Sequence, residues 1–303
     1  MTTTSPVAVQ PPRSTGAAIL VSLRPRQWSK NLLVFAAAGA GGVLAHPATL
    51  ARAGLAFVAL CLAASGTYLV NDVADAERDR SHPTKRGRPI AAGELGRRTA
   101  CLLGAGLMAL GVAVATVTRW QLGIVVVAYL ALTLAYSAWL KQVPVVDIVV
   151  VSAGFVLRAI AGGAAVDVRI SNWFFIVASF GSLFVVSGKR TAESVMVGSD
   201  PGTTRPTLAG YTPSFLAYLR SLTSAVVLVS YCLWAFEKAA IVDPSVPWYQ
   251  LSIVPFAGAV LRYAQLIDAG EGGAPEDLFL RDRPLVALVL VWVVIFGLGI
   301  YIT

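Results

Sequence analysis

The sequence predicts an all-α, polytopic membrane protein with about nine transmembrane helices around a central polar cavity, and three observations predict it. Of 303 residues, 56% are hydrophobic and only 13% charged, with a mean hydropathy of +0.71. A soluble domain carries about a quarter of its residues as charges. Apolar runs near the length of about 20 residues that a helix needs to cross a bilayer recur along the chain. The remaining charges are gathered into a few segments between those runs.

Taken in order, residues 1–16 are polar and Pro-bearing and read as a disordered tail ahead of a single membrane domain, 17–303. Ala17–Gln27 reads as a short amphipathic segment lying at the interface. The charged stretch Arg24–Lys30 precedes the first long apolar run, so no cleavable signal is expected. Spans are expected at 31–46, 50–71, 98–117, 121–140, 145–165, 171–188, 214–236, 248–267 and 285–302. Several are joined by short turns, whereas three long charged connections, 72–97, 189–213 and 268–284, fall on one side and would cap the cavity.

The cations fix the orientation. Arg13, Arg24, Arg26, Lys30, the cluster from Arg78 to Arg98, Lys141, Lys189, Arg190, Arg205, Arg281 and Arg283 share that side, against Arg52, Arg119, Arg169 and Lys238 on the other. The positive-inside rule then places the N-terminus and the long loops in the cytoplasm and the C-terminus outside, across the inner (plasma) membrane. Cys61, Cys101 and Cys232 lie in apolar runs without metal-ligand spacing and read as small packing residues. No nucleic-acid partner is expected, membrane lipids are, and a homo-oligomer is left open.

The chemistry concentrates at the end of the second expected span, in Asn71-Asp72-Val73-Ala74-Asp75-Ala76-Glu77-Arg78-Asp79. Asp72, Asp75 and Asp79 stand at i, i+3 and i+7 and share one helix face, with Asn71 on an adjacent stripe. Three carboxylates so placed repel unless a cation neutralises them, and a hard divalent ion such as Mg²⁺ takes a few carboxylates plus substrate phosphate. A solvated helix end balanced by Arg78 and Arg80 is the plainer alternative, but the motif emerges directly from an apolar span. Beyond it, Gly87 and Pro89 make a loop in which Lys85, Arg86 and Arg88 are suited to phosphate oxygens as well as to the membrane surface. His82 reads as incidental.

Asn71-Asp72-x-x-Asp75-x-x-x-Asp79 followed by Lys85-Arg86-x-Arg88-Pro89 resembles the first Asp-rich motif of the UbiA superfamily of intramembrane prenyltransferases. Arg24-Pro25-x-Gln27-Trp28-x-Lys30-Asn31 is similar to that family's opening segment, and Tyr136-Ser137-x-x-Leu140-Lys141 with Asp147 to its corner between the fourth and fifth helices. The family's second Asp-rich stretch is replaced here by Gly188-Lys189-Arg190-Thr191-Ala192-Glu193, then Arg205 and Tyr211. That departure, with Glu271-Gly272-Gly273-Ala274-Pro275-Glu276 and Asp282-Arg283-Pro284, resembles the branch that uses 5-phosphoribosyl 1-diphosphate as donor and decaprenyl phosphate as acceptor.

The resemblance implies Mg²⁺ held by Asn71, Asp72, Asp75 and Asp79, with Lys85 and Arg86 stabilising the departing diphosphate. It implies substrate contacts from Lys30, Asn31, Arg78, Arg88, Lys141, Asp147, Lys189, Arg190, Glu193, Arg205 and Tyr211. Arg158, inside the fifth expected span, is costly there unless it faces the cavity or a partner, and it is expected to serve phosphate or brace a carboxylate. Arg220 and Arg262, nearer span ends, read as structural. Two other readings remain: prenyl transfer to an aromatic acceptor, and a transporter. Against the second, the charges cluster at one face and no internal repeat is evident.

Overall fold

The structure, a computed structural model, describes residues 13–82, 85–197, 206–242, 245–273, 278 and 281–302. Among them every regular element is helical. The chain opens with α1 (Thr15–Leu23), a nine-residue 3-10 stretch (Pro25–Leu33) and α2 (Val34–Ala40). There follow α3 (Pro47–Ala74), α4 (Ala76–Ser81), α5 (Arg97–Thr118), α6 (Trp120–Ala138), α7 (Val146–Val166), α8 (Asn172–Val197), α9 (Pro213–Val242), α10 (Trp248–Asp268) and α11 (Arg283–Tyr301). Short 3-10 turns at Leu140–Gln142 and Pro206–Gly210 precede α7 and α9.

Seven of these helices, α3, α5, α6, α7, α8, α9 and α11, are long and apolar enough to cross a membrane, so the chain is a multi-pass membrane protein. The expected nine differ at two places for physical reasons. Residues 31–46 do not form one α-helix: the 3-10 stretch gives way to α2, which stops at Ala40 before Gly41 and Gly42. Because a 3-10 helix rises about 2.0 Å per residue, the two pieces together still extend about 28 Å. α10 has 21 residues but carries Gln250, Arg262, Gln265 and an internal Pro255, which lower its apolarity. At the N-terminus Ser14 caps α1 through a bond from the Ala17 N–H, so Ser14–Gly16 of the expected 1–16 tail belong to this helix and its cap; residues 1–12 lie outside those described.

α3 is the most buried span. It packs on α5 through small residues: a Cβ at Gly66 would lie 2.6 Å from the Gly104 carbonyl oxygen, and one at Gly111 2.8 Å from that of Ala59. Such seams let helix backbones approach where lipid offers no hydrophobic drive for association. Val34, Ala56, Leu60, Ala115, Leu122, Val126, Tyr129 and Ala161 fill the core joining α2, α3, α5, α6 and α7. A second core of Phe184, Tyr263, Leu266, Ile267 and Leu285 joins α8, α10 and α11. Leu102, Val117, Val254 and Leu261 instead point outward, as suits helices bathed in lipid.

The helices alternate so that one end of the bundle gathers the charge. There the ends of α3, α6, α8 and α10 meet the starts of α7, α9 and α11 through Lys141–Asp75, Arg190–Asp147, Arg220–Asp268 and Arg262–Asp282 pairs. Arg220 and Arg262 thus serve as structural ties. The opposite end carries Arg119–Asp167 at 2.9 Å and a Trp173–Glu237 hydrogen bond at 2.6 Å.

Candidate active site

α3 carries Asn71 and Asp72 in its last turn and stops at Ala74; Asp75 (φ −92°, ψ 2°) forms a kink, and α4 starts at Ala76. The Asp75 N–H bonds the Asn71 carbonyl and the Asp79 N–H the Asp75 carbonyl, each at 2.9 Å, so helical bonding continues across the kink. The straight i, i+3, i+7 face expected from spacing is therefore bent. Asp72 and Asp79 are buried, whereas Asp75 is half-buried.

Cations occupy the space between the carboxylates. Arg88 Nη1 lies 3.1 Å from Asp72 Oδ1 and 2.7 Å from Asp79 Oδ2. Arg24 Nη2 donates to Asp72 Oδ1 at 2.5 Å, with its guanidinium 4.8 Å from the centre of the Tyr68 ring. Asp75 meets Lys141 Nζ and Arg78, both at 3.7 Å. Among the described residues no three acidic, His or Cys side chains stand close enough to hold a metal together. The donor set nonetheless fits a hard divalent ion, because one nitrogen position already reaches two carboxylates, and the site's donors are oxygens.

Arg24 did not stand out in the sequence as a site residue. It ends α1 in the left-handed conformation (φ 55°), and this turn before Pro25 aims its side chain at α3. The signal was an Arg-Pro pair closing a short segment before the first span.

The basic loop is folded onto the bundle. Ile90 and Leu95 are buried with Leu69, Ala76 and Ala100. Arg80 Nε donates to the Ala91 carbonyl at 3.0 Å, and Arg13 Nη1 reaches the Gly87 carbonyl and Glu94 Oε2, both at 3.1 Å. The half-buried Lys85 and exposed Arg86 form no ion pair among the described residues.

A second cluster lies where α7, α8 and α9 meet. Arg190, 1% exposed, donates through Nε to Asp147 Oδ2 at 2.8 Å and through Nη1 to Glu193 Oε2 at 2.7 Å. Its Nη2 lies 3.4 Å from the Tyr136 hydroxyl. The Tyr211 hydroxyl donates to Asp147 Oδ1 and accepts from the Val145 N–H at 2.7 Å. Burial, then the bond to Asp147, pushes the Tyr211 phenol well above its ordinary range, so it remains a donor.

Asp147 thus takes its cation from Arg190, whose guanidinium is held by two carboxylates. Arg158 forms a cage of neutral groups, with Nε on Asn31 Oδ1, Nη1 on the Gly154 carbonyl and Nη2 on the Tyr129 hydroxyl, each at 2.8 Å. It braces the first-span segment against α6 and α7 and touches no carboxylate among the described residues. Asn31 is buried beside Cys61, and Lys30 bonds the Gln27 side chain. Lys189 is half-buried beside Arg190; Arg205 and the Ala274–Glu276 part of the later loop lie outside the described residues.

A sequence profile described as the UbiA prenyltransferase family matches residues 32–286. The decaprenyl-phosphate phosphoribosyltransferase of Corynebacterium glutamicum is 43% identical over 297 residues, spanning 97% of this chain and 90% of that protein. The enzyme of the same name from Mycobacterium tuberculosis is 43% identical over 298 residues, spanning 97% and 98%. The fold is shared with a UbiA homolog from Archaeoglobus fulgidus bound to DMAPP and Mg²⁺, at a TM-score of 0.70 and 20% identity over 93% of this chain and 98% of that one.

Proposed function

Because the chain belongs to the UbiA prenyltransferase family, we propose that it transfers the 5-phosphoribosyl group of 5-phosphoribosyl 1-diphosphate to decaprenyl phosphate, releasing diphosphate. The product would feed synthesis of cell-wall arabinan (arabinogalactan). The observation that carries this reading against prenyl transfer is the second cluster. Where a second metal ion on a prenyl diphosphate would need carboxylates it can reach, Asp147 and Glu193 are both tied to the buried Arg190, whereas the Arg88 that spans Asp72 and Asp79 is part-exposed and can be displaced. The full-length similarity to two phosphoribosyltransferases supports the same choice.

In this reading Asn71, Asp72, Asp75 and Asp79 would hold Mg²⁺, which supplies Lewis-acid stabilisation of the departing diphosphate. Arg88 exchanges carboxylate oxygens for phosphate oxygens, while Arg24 stays on Asp72 and keeps that carboxylate aimed. Lys85 and Arg86, which form no ion pair among the described residues, meet the diphosphate from the loop; Arg78 and Lys141 face it from beside Asp75. The C1–oxygen bond to diphosphate breaks, and a lipid phosphate oxygen forms the new bond to C1. That oxygen is already anionic near neutral pH, because a phosphate monoester has its second pKa at about 6, so no side chain need remove a proton.

Lys189 and Arg205 meet the remaining phosphate, while Lys30 and Asn31 shape the cavity wall with Arg158 behind them. The chain from α1 onwards is a single domain, with the N-terminus and the charged end in the cytoplasm, the C-terminus outside, and the lipid tail entering between apolar helices. The test is purified protein with Mg²⁺, the phosphoribosyl donor and decaprenyl phosphate. Diphosphate and lipid-linked phosphoribose should appear together. Folded protein that instead moves a prenyl chain from prenyl diphosphate to an aromatic acceptor would overturn the reading.

A further inference from the structure

The corner before α7 contains a backbone conformation that its residue does not favour. Val145 has φ 67° and ψ −48°, in the half of conformational space that a β-branched side chain avoids. Its side chain is half-exposed, so packing does not impose this shape. Pro144 sets the approach, holding Val143 extended at φ −102° and ψ 115°. The Val145 N–H is caught by the Tyr211 hydroxyl at 2.7 Å. That hydroxyl is fixed in turn by Asp147, and Asp147 by the buried Arg190. The 206–210 turn also presses on the corner, since a Cβ at Gly210 would stand 2.9 Å from Pro144 Cγ.

Unfavoured backbone persists only where its surroundings over-determine it, and such places cluster at ligand clamps. What this corner presents is Lys141. The Leu140–Gln142 turn, four residues before Val145, sets Lys141 Nζ 3.7 Å from Asp75 across the gap between α6 and the α3–α4 kink.

We propose that Tyr211 and Arg190 are positioning residues for the transfer reaction: they hold Val145 at its positive φ and thereby set Lys141 against Asp75. The second cluster then acts on the diphosphate at a distance, through the corner, and makes no phosphate contact of its own. This rests on the phosphoribosyl-transfer reading given above. With the corner released, Lys141 leaves Asp75, and the donor loses a cation before chemistry begins. Donor affinity should suffer more than the catalytic step.

Steady-state kinetics of the full-length protein in lipid-supplemented detergent test this. Tyr211→Phe should raise the donor KM about tenfold or more with kcat held within about threefold, because a charged contact to the donor is lost before chemistry begins. Lys141→Ala should do the same, and the double variant should be no worse than either alone. The decisive arm is Val145→Gly in the Tyr211→Phe background. Glycine adopts a positive φ without penalty, so the corner no longer needs the hydroxyl and the donor KM should return towards wild type. Failure of that rescue overturns the proposal, as does a normal donor KM in Tyr211→Phe when Lys141→Ala is impaired. If Tyr211→Phe does not fold, Gly210→Ala pushes the corner from outside with the network intact. A raised donor KM there supports the proposal and an unchanged one overturns it. Wild-type protein that makes no phosphoribosyl lipid defeats the functional reading, a result distinct from all of these.

Discussion

Arg190 and Asp147 form an ion pair at 2.8 Å in which both side chains are buried, tying the end of α8 to the start of α7. Breaking such a pair from one side leaves a buried charge without its partner, which costs about 3–5 kcal/mol. Arg190→Met should therefore lower the thermal midpoint in detergent. Asp147→Asn added to it should recover part of the loss, because it removes the orphaned charge. Equal midpoints for wild type and Arg190→Met would contradict this account.

Asp75 is the member of the acidic motif that the fold needs least. It is half-buried, and its cations stand at 3.7 Å. Asp75→Ala should leave expression and thermal midpoint near wild type while turnover falls on the order of 100-fold, the upper loss typical when a metal site's support is removed. Activity close to wild type would remove Asp75 from the metal role assigned to it.

Arg88 satisfies Asp72 and Asp79 at once, so it competes with any divalent ion for the same oxygens. Arg88→Gln should bind Mn²⁺ more tightly than wild type in the absence of donor, measured by paramagnetic resonance titration. Transfer should nevertheless fall, because the donor loses a phosphate ligand. Weaker Mn²⁺ binding in the variant would mean that Arg88 organises the carboxylates for the metal instead of competing with it.

What the sequence made legible follows from range. Apolar length and one-sided cations are local signals, and they located α3, α5, α6, α7, α8, α9 and α11. The Asn71–Asp79 motif was legible because it lies within nine consecutive residues. Arg24 on Asp72 and Arg190 on Asp147 join residues 48 and 43 positions apart, and periodicity along one helix carries no information about them. The same holds for Arg158: its place in an apolar span signals a need for partners, but the partners themselves, Asn31 and Tyr129, are neutral and distant in sequence. The broken first span was hidden because hydropathy does not distinguish a 3-10 stretch from an α-helix.

That broken span depends on one close approach. A Cβ at Gly162 of α7 would fall 1.8 Å from the Val34 carbonyl oxygen, at the point where the 3-10 stretch passes into α2. Backbone atoms cannot yield as a side-chain tip can, so Gly162→Ala should destabilise the fold by at least the about 1–3 kcal/mol of an overpacked core. Gly154→Ala on the same helix, where an added Cβ meets only Arg158 Nη1 at 3.5 Å, is the matched control. Comparable melting of the two variants would show that α2 does not dock as closely as described.

Asp282 gives the charged end a response to acid. Its carboxylate accepts from Arg262 Nε and Nη2 at 3.1 and 2.7 Å and caps α11 through the Leu285 N–H at 2.8 Å. The Arg262 bonds, foremost, hold this carboxyl below the ordinary carboxylate range. A pKa lowered by folding stabilises the folded form fully above the unfolded value of about 4, and that stabilisation is lost as pH falls through the lower folded value. Amide exchange at the start of α11, corrected for intrinsic rates, should therefore stay slow down to about pH 4 and quicken below it. Asp282→Asn keeps a capping oxygen but no charge, so it should flatten this pH dependence. An unchanged acid profile in that variant would assign the response to another group.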